Sequence, residues 1–188
     1  MRIIAGIYRS RRINSDTKPK RNKFVVRPSS DRARETLFNI LSNRIDFKNL
    51  RCLDLFSGTG SYGFECLSRG AFNCVFVDKY QRSIELVKKT SEQLGCEERV
   101  QGIRADVINF LRNSDTNNAY DLVFADPPYN YKDYGELAEL IMGINFKIFV
   151  LEYSNAGNMN LSKLISEKMS LVDRKIGKTL YKIFIQVK

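Results

Sequence analysis

Apolar residues recur along this chain with two alternating periods, one of about 3.6 residues and one of short continuous runs. Asp31 to Arg44 reads as a helix with an apolar stripe of Leu37, Phe38, Ile40, Leu41 and Ile45, and with Ser30 or Asp31 as its cap. Arg51–Phe56 reads as a buried strand, followed by a helix over Ser61–Arg69 that stops at Gly70. The alternation continues with a strand at Asn73–Val77, a helix at Gln81–Leu94 ended by Gly95, and a strand at Arg99–Ile103. A short helix at Val107–Arg112, a loop at Asn113–Asn118, a strand at Tyr120–Ala125, a helix at Lys132–Met142 and a strand at Lys147–Tyr153 complete it. Such alternation specifies a mostly parallel sheet with helices on both faces. The end departs from it. Leu171–Ile176 and Leu180–Val187 are joined by a turn at Gly177-Lys178, which makes the last pair an antiparallel hairpin. The pattern thus predicts an α/β fold with seven strands.

The start departs too. Residues 1–28 read as a small basic extension with strands at Arg2–Tyr8 and Phe24–Arg27, separated by a polar loop from Asn14 to Asn22. The domain proper is expected to run from residue 29 to 188. Residues 1–34 hold 11 of the 31 basic side chains and 2 of the 21 acidic ones, so nearly all of the net charge of +10 lies there. A segregated basic segment is the footprint of a polyanion binder. Ile3, Ile4 and Ile7, then Phe24, Val25 and Val26, interrupt the charge, which an idle solvated tail does not require. Arginine also dominates over lysine in this segment, and arginine is the better fork for phosphate.

With 188 residues the chain has room for one well-buried domain. No apolar run is long enough for a transmembrane helix, and the basic start lacks the apolar stretch of a signal peptide, so the expected setting is the cytoplasm with no membrane partner. Cys52, Cys66, Cys74 and Cys96 are scattered and the chain has no histidine. This argues against a metal site and against histidine-based catalysis, and it predicts four reduced, buried thiols.

Two motifs carry the chemistry. Asp54-Leu-Phe56-Ser-Gly58-Thr-Gly60-Ser-Tyr-Gly63 joins the first core strand to its helix. Gly58, Gly60 and Gly63 match the dinucleotide fingerprint, so a nicotinamide cofactor has to be weighed. A carboxylate facing that turn would repel a pyrophosphate and would suit a cationic amine or a sulfonium. Asp78 and Asp106 follow the next two strands, where they can accept from ribose hydroxyls and from an adenine amine. The second motif is Asp126-Pro127-Pro128-Tyr129, at the end of the fourth strand. Two prolines stiffen it. The Asp126 carboxylate and the Pro127 carbonyl can both accept from one amino group, and Tyr129 can stack on the flat ring that carries it.

These motifs resemble, in order, those of class I S-adenosylmethionine-dependent methyltransferases, a Rossmann-like fold. Arg2-Ile-Ile-Ala-Gly6, Arg27-Pro-Ser-Ser-Asp-Arg-Ala-Arg-Glu35 and Leu37-Phe-Asn-Ile-Leu41 bring the chain closer to the RsmD family. The resemblance implies S-adenosylmethionine as cofactor and methylation of a guanine N2 amine in bacterial small-subunit ribosomal RNA by a monomer. It implies Asp126, Pro127 and Tyr129 as catalytic residues, and Asp54, Phe56, Gly58, Gly60, Asp78 and Asp106 as cofactor ligands. Arg9, Arg11, Arg12, Lys20, Arg21, Lys23, Arg32 and Arg34 are expected to bind the RNA. A DNA amino-methyltransferase, a non-catalytic RNA-binding assembly factor and an NAD-dependent oxidoreductase are the alternatives.

Overall fold

A computed structural model describes residues 1–15, 31–114, 119–128, 131–153, 169–177 and 179–186. The expected strand at Phe24–Arg27, and Val187 at the end of the last strand, lie outside them. The elements are α1 (Asp31–Ser42), β1 (Arg51–Leu55), α2 (Ser61–Ser68), β2 (Asn73–Asp78), α3 (Gln81–Leu94), β3 (Val100–Arg104), α4 (Val107–Arg112), β4 (Leu122–Ala125), α5 (Tyr134–Met142), β5 (Ile148–Tyr153), β6 (Met169–Ile176) and β7 (Thr179–Gln186). Element types follow the sequence pattern, and most ends shift by one or two residues.

The seven strands form one sheet in the order β3-β2-β1-β4-β5-β7-β6. The first five are parallel, and β7 pairs antiparallel with both β5 and β6. The carboxyl ends of five strands therefore share one edge. The strand order reverses between β1 and β4, and in open sheets of this kind ligands bind at the carboxyl ends of the strands at such a reversal.

Strand alternation divides the core. Cys52, Phe76, Phe124 and Val150 face α1, α2 and α3, whereas Leu53, Val77, Val123 and Leu151 face α4 and α5. Gly63 lets α2 sit close on the sheet. A Cβ there would stand 2.3 Å from the Phe76 ring and 2.6 Å from Cys74 Sγ. All four cysteines are free and buried, as the composition implies.

The expected strand at Arg2–Tyr8 is corrected to a strap. Its only ladder contact among the described residues is the Arg2–Arg12 bridge, and Gly6 and Ser10 turn with φ of 82° and 66°. The cause is competition for its N–H groups. Ile4 and Ala5 donate to the Glu65 carboxylate at 2.8 and 3.1 Å, and Ile7 and Tyr8 donate to Ser68. Ile3 and Ile13 are buried in the core, and Asn14 donates to Thr90 of α3. The segment crosses the outer face of α2 and ends on α3.

Candidate active site

The backbone turns sharply where β1 ends. Phe56 lies at φ 56°, a left-handed geometry that is costly for an aromatic residue, and Gly58 and Gly60 follow at 53° and 77°. Several of the loop's donors are directed inward. Gly58 N–H donates to Asp78 Oδ2 at 2.9 Å, Gly63 N–H to Asp54 Oδ2 at 3.0 Å, and Gly60 N–H to the Ser57 carbonyl at 2.7 Å. A pyrophosphate-binding turn needs such N–H groups aimed at the ligand. Here carboxylates have taken two of them, so the turn offers little to an anion.

Asp54 is 2% exposed. Burial pushes its carboxyl up to about 8, against the pull of the Gly63 N–H, and nearby Asp78 adds to the rise. A cationic group brought into the loop relieves this. Ser57 Oγ is buried with no hydrogen-bond partner. Asp106 begins α4, and its Oδ1 accepts from Ile108 N and Asn109 N at 3.1 and 3.2 Å. Clustered acids and a partnerless hydroxyl beside the turn fit a ligand with cationic and hydroxyl groups better than a dinucleotide phosphate.

The Asp126 corner adjoins this turn. Asp126 N–H donates to the Leu55 carbonyl at 3.4 Å, and Tyr131 N–H donates to the Pro128 carbonyl at 2.8 Å. The Tyr131 ring meets Phe56 edge-on, at 5.3 Å and 73°. Pro127 is buried and Asp126 half-buried. Tyr129 lies outside the described residues.

Three residues that sequence reasoning missed complete the corner. Ala125 pairs with Leu151, and Glu152 pairs with Tyr181. Glu152 therefore follows Leu151 near the end of β5, beside the end of β4, and its carboxylate meets α2. The Tyr62 hydroxyl donates to Glu152 Oε2 and lies 3.2 Å from the Tyr181 hydroxyl. Its ring stacks on Phe124 at 4.9 Å and 3°. Burial first, then the Glu152 carboxylate, pushes both tyrosine hydroxyls up, so both remain protonated donors. The signal for Glu152 was present: it ends a buried strand on the same edge as Asp54, Asp78 and Asp126.

The basic residues divide. Arg9, Arg11, Arg12 and Arg32 are exposed. Arg11 also donates to the Gln93 carbonyl at 3.0 Å, which ties it to α3. Lys20, Arg21 and Lys23 lie outside the described residues. Arg34 is corrected: it is 0% exposed, bonded to the Arg2 carbonyl and to Asp31, and cannot reach an RNA backbone in this state. It occupies the buried stripe of α1, at i−3 and i−4 from Leu37 and Phe38.

The family described as Conserved hypothetical protein 95 matches residues 1–185. A Haemophilus influenzae relative named Ribosomal RNA small subunit methyltransferase D is 37% identical over 70% of this chain, and the match spans 65% of that relative's length. A relative of the same name from Buchnera aphidicola is 32% identical over 100% of this chain and 92% of its own. A solved Thermus thermophilus chain superposes with a TM-score of 0.80 at 23% identity, covering 100% of this chain and 99% of the other, and so shares the fold. The chain belongs to the RsmD family, whose matching model is described as Conserved hypothetical protein 95.

Proposed function

We propose that this protein methylates the exocyclic N2 amine of a guanine in small-subunit ribosomal RNA, with S-adenosylmethionine as donor. One observation carries the reading: the Asp126 backbone is bonded to the end of β1, which puts the Asp126 corner beside the glycine turn. The names of the relatives support the substrate, and the acid-rich turn supports the donor.

S-adenosylmethionine supplies, when bound, a methyl group made electrophilic by its sulfonium. Asp78 suits the ribose hydroxyls and Asp106 the adenine amine, while Phe56, Gly58 and Gly60 shape the turn and Asp54 favours positive charge beside it. The N2 amine is a poor nucleophile because its lone pair is delocalised into the ring. The Asp126 carboxylate and the Pro127 carbonyl accept its two hydrogens and favour a tetrahedral nitrogen with its lone pair aimed outward. After alkylation the Asp126 carboxylate takes the surplus N2 proton. Positioning and fixed charge supply the acceleration. Tyr129 stacks on the base, worth ~1–3 kcal/mol by analogy with other base-stacking side chains. The base must leave its stack, which favours a loop or single-stranded target. The protein acts as a cytoplasmic monomer, and Arg9, Arg11, Arg12 and Arg32, with Lys20, Arg21 and Lys23, grip the phosphates.

Mapping methylated positions in ribosomal RNA from cells with and without this protein tests the reading. One N2-methylguanine in the small-subunit RNA should vanish with the protein. An unchanged map, or a loss confined to DNA, overturns it.

A further inference from the structure

Two large apolar side chains stand in solvent on the edge of the sheet opposite the acids: Ile7 of the strap, 73% exposed, and Phe72, 64% exposed. Both meet the end of α2. Ile7 N–H donates to the Ser68 carbonyl at 2.8 Å, and Phe72 closes the turn that leads from α2 into β2. One guanidinium joins the two segments. Arg99 Nη1 donates to the Tyr8 hydroxyl and Nε to the Phe72 carbonyl, both at 3.4 Å. Its Nη2 donates to the Leu67 and Ala71 carbonyls at 2.8 and 2.7 Å. Phe72 N–H donates to the Leu50 carbonyl at 2.8 Å. The Phe72 backbone is therefore held on both sides while its ring is left to the solvent.

A single exposed phenylalanine needs no explanation. This one stands in a basic field. Arg9, Arg11 and Arg12 are exposed on the strap and Lys48 is exposed beside Gly70, against Glu97 and Glu98 next to Arg99. That balance selects a polyanion as the partner. A phosphate alone has no use for Ile7 and Phe72, whereas an unpaired base offers a flat face to a fixed ring. Phe72 precedes β2 and Asp78 ends it, so at ~3.3 Å per residue the ring stands about 20 Å from the glycine turn. We propose that Phe72, with Ile7 beside it, is a second RNA contact: an aromatic platform on which an unpaired base stacks, several nucleotides away from the target guanine. This rests on the ribosomal RNA reading above and adds where the same RNA is held outside the reacting site. Stacking also gives a grip that salt does not screen, unlike the phosphate contacts of the strap.

The test measures the affinity of the full chain for small-subunit ribosomal RNA at several salt concentrations. Phe72→Ala should weaken binding by about 5- to 150-fold, the worth of one stacked base, and leave the slope of log affinity against log salt unchanged. Phe72→Tyr keeps a flat ring and should bind as the wild type does. Phe72→Leu keeps apolar bulk without the ring and should resemble Phe72→Ala. Thermal melts with and without S-adenosylhomocysteine report that each variant is folded with its donor site intact, and if Phe72→Ala melts early, the comparison of Phe72→Leu with Phe72→Tyr decides. Unchanged affinity in Phe72→Ala, or affinity kept by Phe72→Leu as fully as by Phe72→Tyr, overturns the stacking role. A wild type that sediments as a dimer, with a monomeric Phe72→Ala of unchanged RNA affinity, gives the patch to a second copy and overturns it too. Wild-type methylation of DNA and not of ribosomal RNA overturns instead the reading on which the platform rests.

Discussion

Tyr131 meets Phe56 edge to face, with ring centroids 5.3 Å apart, and so joins the loop after β4 to the strained turn after β1. Tyr134 packs edge-on against Tyr131 from the other side, also at 5.3 Å. The Asp126 corner and the glycine turn are thereby held in one relative position. Replacing Tyr131 with Ala removes two ring pairs and should lower stability by about 1–3 kcal/mol. Turnover of the folded variant should fall as well, by about 100-fold, because small misplacements are costly when catalysis is positional. Urea unfolding and single-turnover methyl transfer measure the two; equal small losses in both would remove the coupling.

Asp126→Asn separates holding the base from holding the donor. An amide still accepts one hydrogen bond, but it brings an N–H toward the amine and has no negative charge. Methyl transfer should fall by about 10²–10³-fold, as for loss of one preorganised electrostatic group. The thermal shift with S-adenosylhomocysteine should persist. Near-normal turnover would show that another group activates the amine.

The buried Asp54 makes stability depend on pH in an unusual sense. Its carboxyl rises on folding from the ordinary range to about 8. The folded state therefore holds a proton that the unfolded state has released between about pH 4 and pH 8. The contribution is fully present below the unfolded value and is lost as pH rises through about 8. In that window the ligand-free protein should lose up to about 1.4 kcal/mol per pH unit from this group. Asp54→Asn keeps an acceptor for Gly63 and should flatten the slope. Urea unfolding at several pH values, wild type against variant, checks it; identical slopes would exclude Asp54 as the source.

Gly63 is required by packing. Gly63→Ala drives a methyl into Phe76 and Cys74, at 2.3 and 2.6 Å, and should cost about 1–3 kcal/mol, the usual range for overpacking. Adding Phe76→Leu should recover part of the loss, as thermal melts of the single and double variants would show. A harmless Gly63→Ala would mean that α2 can lift from the sheet.

Arg9 and Arg12 are exposed on the strap. Replacing either with Ala should weaken RNA binding uniformly across sequences and reduce the slope of log affinity against log salt by about 1. Arg34→Ala should act differently, lowering stability first, since the side chain is enclosed beneath Arg2. A titration series in salt beside a melt distinguishes the two classes.

Much of this was legible in the residues. Periodicity located the core helices and strands because each buries a contiguous face. Asp54, Asp78 and Asp126 were visible because acids at the ends of buried strands need a reason to be there. Glu152 obeyed the same rule and was passed over for want of a motif around it. Arg34 misled because charge was read without period: its spacing from Leu37, Phe38 and Leu41 already placed it inside. The strap defeated strand reasoning for a different cause. Its N–H groups are taken by Glu65 and Ser68, and no local pattern announces an acceptor about sixty residues away.

The strap also sets an order of events during synthesis. Residues 1–15 leave the ribosome before Glu65, Ser68, Thr90 and Gln93, to which they fasten. Until α3 is out, Ile3 and Ile13 have no cover and the arginines beside them are undocked. A nascent chain stalled before residue 90 should thus leave its first residues open to protease, and one stalled well beyond should protect them.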